Sequence, residues 1–438
     1  MPRAKENLAQ LVAYRSVADA AVEDPSECAA AAEWVVSAMR EAGVTGAAAH
    51  ETPDGSKVVL GEVAGPSGAP TVLLYSHYDV QPAGDPDAWS SPPFELTERD
   101  GRWFGRGAAD CKSGVIVSLL ALKGLGVATG TPPPVNLKIV VEGSEEQGTG
   151  GLDQFVEANP ELFAADAMLI LDSGNFELGL PTLTTSLRGI VNLNVSVETM
   201  AGPQHSGVYG GASPDALGAL IGMLASLTDA NGNTTIDGLD SAQTWAGVEY
   251  ASENFAADAG VLAGVDLAGD GSVPEMIWAR PAVSVLGIDA PAVDGAANAI
   301  QPRARAKVSV RVPPGLSGEH AAEALEAHLR SRTPWNAKLS FEREAVADPF
   351  SGRLDGPAFA ALSEAMAEAF DRPTTTMGQG GSIPLCTLLA DEFPQAEILL
   401  LGAQEPACQI HAPDESVDPR EIERVALAVA LFIASYKG

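Results

Sequence analysis

Residues 71–82 read TVLLYSHYDVQP. The run Thr71–Ser76 is apolar or β-forming throughout, then stops on His77, with Asp79 two places later. A short run without polar alternation is the mark of a strand buried on both faces, as in a parallel sheet. The same shape recurs along the chain. Asn136–Val141 (NLKIVV) leads into Glu142, Glu145 and Glu146, Ala167–Leu171 (AMLIL) into Asp172, and Glu397–Leu401 (EILLL) is followed by the segment that carries His411. Between these runs lie Ala29–Ala42, Val115–Leu125, Ala358–Phe370 and Glu421–Tyr436, whose apolar residues repeat at helical spacing. Strands alternating with helices predict an α/β domain with a mostly parallel sheet and helices on both faces.

The middle of the chain has a different rhythm. Gly189–Val197 (GIVNLNVSV) and Ala304–Val312 (ARAKVSVRV) alternate apolar and polar residues, which predicts half-exposed antiparallel strands. Pro214–Leu227 and Glu319–Ser331 read as helices, and Ala256–Gly271 as a loop or loose helix. Two strands and two helices predict an inserted α+β domain over 188–346. The α/β domain then comprises 1–187 and 347–438.

Composition limits what such a protein does. The 438 residues include 26 Lys+Arg and 58 Asp+Glu, a formal charge of −32. That balance excludes an electrostatic footprint for nucleic acid and disfavours anionic lipid. Hydrophobic residues make up 46%, so the acids decorate a globular surface rather than a disordered tail. The longest apolar stretch, Val425–Ala434, is far short of the roughly 20 residues of a membrane span. No apolar signal segment is visible. Cys28, Cys111, Cys386 and Cys408 are scattered and form no CxxC pair, which argues against a disulfide framework and a thiolate zinc site. The expectation is a cytoplasmic protein with reduced thiols.

The rare polar residues fall at strand ends, where open α/β sheets place their ligand sites. His77, Glu146, Asp172 and His411 do so, and Asp110 sits just before the helix at Val115. Imidazole and carboxylate suit a pair of divalent metals such as zinc, manganese or cobalt. His77, Asp110 and Asp172 suit one ion, and Asp110, Glu146 and His411 the other, with Asp110 shared. A hydroxide between the two metals would be the nucleophile. Glu145 and Glu146 are neighbours. In an extended stretch they point opposite ways, so one binds metal and Glu145 is free to act as general base. Asp79 is placed to hold the far nitrogen of His77.

Each of these residues has a blander reading. Asp110 alone would be a helix cap, the Glu145–Glu146 pair a solvated loop, and Cys111 a small buried residue. His50, His320 and His328 sit in charged or Ala-rich contexts and are expected to carry no function. His205, in GPQHSGVYGG, would be part of a tight turn, and Arg311 a solvated residue on an alternating strand. The run Gly378–Pro384 (GQGGSIP) offers backbone N–H groups to an anion.

The segments SHYDVQP, GRGAADCKSG, EGSEEQGTGG, ILDSG and IHAPDE, in this order, resemble the five metal-site motifs of the M20 metallopeptidases, the clan of dipeptidases, aminoacylases and carboxypeptidase G2. The resemblance spans roughly residues 5–436. It implies two zinc ions on the ligand sets above, Glu145 as general acid/base and Asp79 orienting His77. It implies that the insert is a lid and dimerisation domain, and that His205 reaches the active site of the partner subunit to stabilise an oxyanion. Asn298, Arg311, Gly381 and Ser382 resemble the residues that hold the substrate and its terminal carboxylate.

The resulting expectation is a homodimeric metal-dependent hydrolase of dipeptides or similar small amides with a free carboxylate. The alternatives are an N-acyl amino-acid deacylase of the same family and a non-catalytic metal-binding scaffold. Retention of Glu145 speaks against the scaffold, because metal binding alone needs only Glu146.

Overall fold

The computed structural model describes residues 1–381 and 383–438. Ser382, one of the expected substrate contacts, lies outside the described residues. The chain divides into two compact units. The first comprises 1–185, 352–377 and 388–438, and the second 186–351 and 378–387.

The first unit opens with helices α1 (Pro2–Val12) and α2 (Pro25–Glu41) and strands β1 (Ala48–Glu51), β2 (Lys57–Val63) and β3 (Thr71–His77). Helix α3 (Lys112–Gly124) follows, then β4 (Asn136–Glu142), β5 (Ala167–Ile170) and β6 (Thr182–Leu187). The second unit holds β7 (Gly189–Glu198), α4 (Ala216–Ala225), β8 (Ala282–Asp289), β9 (Arg303–Val312), α5 (Gly318–Ser331) and β10 (Lys338–Ala347). The chain then returns through α6 (Pro357–Phe370), β11 (Glu397–Leu400) and α7 (Pro419–Ser435).

The central sheet of the first unit runs β1-β2-β4-β3-β5-β11-β6. Its middle is parallel, with β3 paired to β4 and β5, and β5 to β11. The flanking pairs β1–β2, β2–β4 and β11–β6 are antiparallel. The apolar runs are buried as their lack of alternation requires, and every residue of β5 and β11 is buried. Helix α3 is buried over almost its whole length, from Lys112 to Leu122, because α1 and α7 pack on it. Lys112 is tolerated there because its ammonium donates to the carbonyls of Leu11 (3.0 Å) and Tyr14 (2.9 Å), at the end of α1.

The helices start earlier than their apolar spacing indicates. Asp24 and Asp418 cap α2 and α7, accepting from the Ser26 and Arg420 N–H groups at 2.9 Å, and a proline takes the first position of each helix. Glu397, the first residue of β11, accepts from the Ala358 and Phe359 N–H groups at the start of α6. Gly356 is required there, since a Cβ would lie 2.1 Å from that carboxylate.

The second unit has more sheet than its alternation predicts. Its four strands run β8-β9-β7-β10, all antiparallel, where two strands are legible in the sequence. The two central strands carry the alternation. The two edge strands are largely exposed, and their core-facing residues Val283, Leu339 and Phe341 are only partly buried, so their apolar face is weak. The odd-numbered residues Val191–Val197 of β7 and the even-numbered residues Ala304–Val312 of β9 pack with α4 and α5 into a separate core. Within 256–271, helix Ser252–Asp258 ends and the rest is irregular. The segment 378–387, distant in sequence, also belongs to this unit.

Candidate metal centre and active site

Three parallel strands deliver the centre to one sheet edge. His77 is the last residue of β3, Asp172 lies two residues beyond β5, and Glu145 and Glu146 follow β4. Asp110 precedes α3, and His411 comes from the loop after β11. The His77 Nε2 lies 3.3 Å from both Asp110 Oδ1 and Asp172 Oδ1. The His411 Nε2 lies 3.1 Å from Asp110 Oδ2 and 3.2 Å from Glu146 Oε2. Each imidazole thus faces two carboxylates, and Asp110 turns one oxygen to each.

The supporting hydrogen bonds fix this arrangement. His77 Nδ1 lies 3.1 Å from the Asp79 carbonyl and 3.4 Å from its carboxylate, which leaves Nε2 free to face the acids. The Asp79 carboxylate also accepts from the N–H groups of Glu145 (3.2 Å) and Glu146 (3.0 Å). That contact corrects the extended geometry expected for the two glutamates, since Glu145–Gln147 is a single 3₁₀ turn wound on Asp79. The side chains still diverge. Glu146 turns to His411, while Glu145 Oε2 stands 3.9 Å from His77 Nε2, outside hydrogen-bond reach.

Several positioning residues escaped the sequence reading. Gln81 donates to Glu146 Oε2 at 3.0 Å and to the Glu146 carbonyl at 3.2 Å. Glu415 is fully buried and pairs with Arg106 at 2.7 Å. It also accepts from the N–H groups of Gly107, Ala109 and Asp110 at 2.9–3.1 Å, so the segment carrying His411 holds the loop carrying Asp110. Asp54 binds the hydroxyls of Thr52, Ser144 and Thr149, tying down the loop of Glu145 and Glu146. The sequence offered one weak signal for Glu415, its place four residues after His411 among other acids.

The donor set fits divalent cations. Among the described residues, His77 Nε2 and Asp172 Oδ1 are buried and make no hydrogen bond, an orphaned donor pair that coordination would satisfy. Burial pushes Glu145 up to about 9 and Asp172 up to about 6, because neighbouring carboxylates add to the cost of their charge. A site this crowded with buried acids needs positive charge to stay ionised. Asp110–Glu146–His411 form one grouping of ligand atoms within 4.8 Å of one another, and His77–Asp172 another, the latter with Cys111. The Cys111 thiol donates to the Leu171 carbonyl at 3.0 Å, which agrees with its reading as a small buried residue.

The remaining candidates lie in the second unit. His205 and Asn298 are neighbours there. The two-residue ladder pairs Gln204–His205 with Ala299–Ile300, and Ser206 donates to the Asn298 carbonyl through its N–H (2.9 Å) and hydroxyl (3.0 Å). His205 is exposed, and its Nδ1 accepts from the Gly207 N–H at 3.1 Å, which puts the proton of the neutral ring on Nε2. Arg311 is half-buried on β9, and Gly381 is exposed. His328 is buried against Ser226 and Asp237, a structural role.

The model of peptidase family M20/M25/M40 matches residues 73–435, and the chain belongs to that family. It is 46% identical over 410 residues to a cysteinylglycine-S-conjugate dipeptidase of Corynebacterium striatum, covering 93% of this chain and 90% of that protein. It is 30% identical over 382 residues to a Cys-Gly metallodipeptidase of Schizosaccharomyces pombe, covering 82% and 79%. Its fold matches the crystal structure of an M20 family metallo-carboxypeptidase from Sulfolobus solfataricus with a TM-score of 0.81, at 20% identity and 99% coverage of both chains. Among the described residues, no helix is long and apolar enough to cross a membrane.

Proposed function

We propose that the protein is a metallodipeptidase that hydrolyses dipeptides or similar small amides with a free carboxylate. The observation that carries this reading is the junction at Asp110, whose two oxygens face two different imidazoles, each with a further carboxylate beside it. His77, Asp110 and Asp172 would hold one divalent ion, and Asp110, Glu146 and His411 the second. Zinc suits this donor set best, and manganese or cobalt would also serve. Bound there, the metals would lower the pKa of water and polarise the scissile carbonyl. The names of the relatives, two of them dipeptidases, support the substrate class.

The chain's own residues perform the rest. Glu145 takes the proton of the attacking water on its carboxylate and returns it to the leaving amine. Asp79 keeps His77 oriented and fixes the turn from which Glu145 projects. His205, exposed and with a proton on Nε2, acts on the oxyanion in the site of a partner subunit, and Asn298, Arg311, Gly381 and Ser382 hold the substrate. The insert is the lid and dimerisation domain. The edge strand β8 supports a homodimer, since it leaves Val285, Leu286 and Ile288 exposed. The free thiols suit a reducing cytoplasm.

The test is hydrolysis after chelation and reloading with zinc or manganese. The panel pairs cysteinylglycine and other dipeptides with N-acetyl and N-succinyl amino acids. Metal-dependent cleavage of dipeptides is expected. Cleavage of the acyl amino acids alone would make the protein a deacylase, and no turnover with either metal would leave a scaffold.

A further inference from the structure

The face of β7 and β9 turned away from α4 and α5 carries a row of basic residues. Arg303 pairs with Glu198 and Arg305 with Glu342, each at 3.2 Å, and Lys307 pairs with Glu344. Arg311 lies further along the same face and, among the described residues, has no acidic partner. It stands opposite Ile190 in register, and Arg188 lies just before the first residue of β7, close enough that the two guanidiniums feel each other's charge. Arg188 has no acidic partner among the described residues either. Among the described residues its buried Nε and Nη1 find no hydrogen-bond partner, and its Nη2 lies against Gly380, where an added Cβ would come within 3.0 Å. Burial together with the field of Arg311 lowers Arg188 to about 10. In a chain with 58 acids for 26 bases, two adjacent guanidiniums left unneutralised are conspicuous. An uncompensated, half-buried like-charge pair is costly unless an anion completes it.

We infer that Arg188 is a specificity-determining residue, which with Arg311 forms a two-guanidinium receptor for the substrate's terminal carboxylate. A carboxylate has two oxygens and about four lone-pair sites, enough for both side chains. The inference rests on the dipeptidase reading, in which Arg311 holds that group, and it adds the residue that makes a free carboxylate a requirement.

The experiment compares cysteinylglycine with its C-terminal amide. Wild type is expected to prefer the free acid. Arg188→Gln is expected to raise KM for the free acid about 10- to 100-fold, the worth of a charged hydrogen bond, with kcat changed less and the amide nearly unaffected. Arg188→Lys is expected to restore part of the preference. An equal loss on acid and amide, or an unchanged KM, would overturn the receptor. Should Arg188→Gln fail to fold, as its melting curve would show, Gly380→Asp sets a competing carboxylate against Arg188 and is expected to raise KM for the acid alone. Equal loss on both substrates in that variant also overturns it. Wild type that cleaves acid and amide equally removes the receptor but keeps the peptidase, whereas wild type inert on every dipeptide removes the peptidase reading itself.

Discussion

In the first unit, Asp110, Glu146 and Asp172 crowd around two imidazoles, with no lysine or arginine paired to them among the described residues. In the second, Arg188 and Arg311 are neighbours with no acid paired to either among the described residues. The surroundings of each cluster are well neutralised. Arg106 has Glu415 beside the metal centre, and Arg303, Arg305 and Lys307 have their glutamates on the insert sheet. The two clusters therefore carry unpaired charge of opposite sign. One cluster calls for cations that stay, the other for an anion that comes and goes.

The largest effect tests the acidic cluster. Asp110→Asn removes the shared carboxylate, so metal content measured by atomic emission is expected to fall at both sites and activity to drop to background. Full metal retention in that variant would break the comparison at its base. Glu145→Gln is expected to keep both metals and lose about 10²–10⁴ in kcat, the worth of a general base. Unchanged turnover would remove Glu145 from the chemistry. Glu415→Gln leaves Arg106 as a buried, uncompensated charge, and is expected to cost about 3–5 kcal/mol in denaturant unfolding.

A pH series sharpens the same contrast. Burial raises Glu145 to about 9 and Asp172 to about 6 in the metal-free fold, so the folded state binds protons more tightly than the unfolded chain. That contribution is fully present below the ordinary carboxylate range and is lost as pH rises through the raised values. The melting temperature of the chelated protein is expected to fall between pH 5 and 9, and metal to flatten the fall. A chelated protein with a flat profile would show that the acids are compensated without cations. The smallest effect is expected at Arg305→Ala, which breaks a solvent-exposed pair. It should cost less than about 1 kcal/mol and leave KM unchanged, in contrast to Arg188.

Much of this was legible because burial leaves a signature in composition. Unbroken apolar runs marked the parallel strands, and a His, Asp or Glu after such a run stood out because nothing else there is polar. His77, Asp110, Glu146, Asp172 and His411 lie close together in the structure. What stayed hidden lacked such contrast. The edge strands β8 and β10 are largely exposed, and the few apolar residues they pack on the core, Val283, Leu339 and Phe341, are only partly buried, so they stand out less from loops. Glu415 is one of two adjacent acids in HAPDES, and its partners are Arg106 and three backbone N–H groups hundreds of residues away. Arg188 sits where β6 gives way to β7, and its want of an acidic partner among the described residues is a property of space, not of its neighbours in sequence.

The assignment of residues 378–387 to the second unit bears on how the protein can be cut and rebuilt. The chain passes between the two units four times, at 185/186, 351/352, 377/378 and 387/388. The insert is accordingly not a cassette. Excising 186–351 would strand ten residues that belong to it within the remaining chain, and grafting that segment elsewhere would deliver a unit without the strip against which Arg188 lies. Exchange of substrate preference between relatives of this fold must therefore transplant two separate stretches of sequence together.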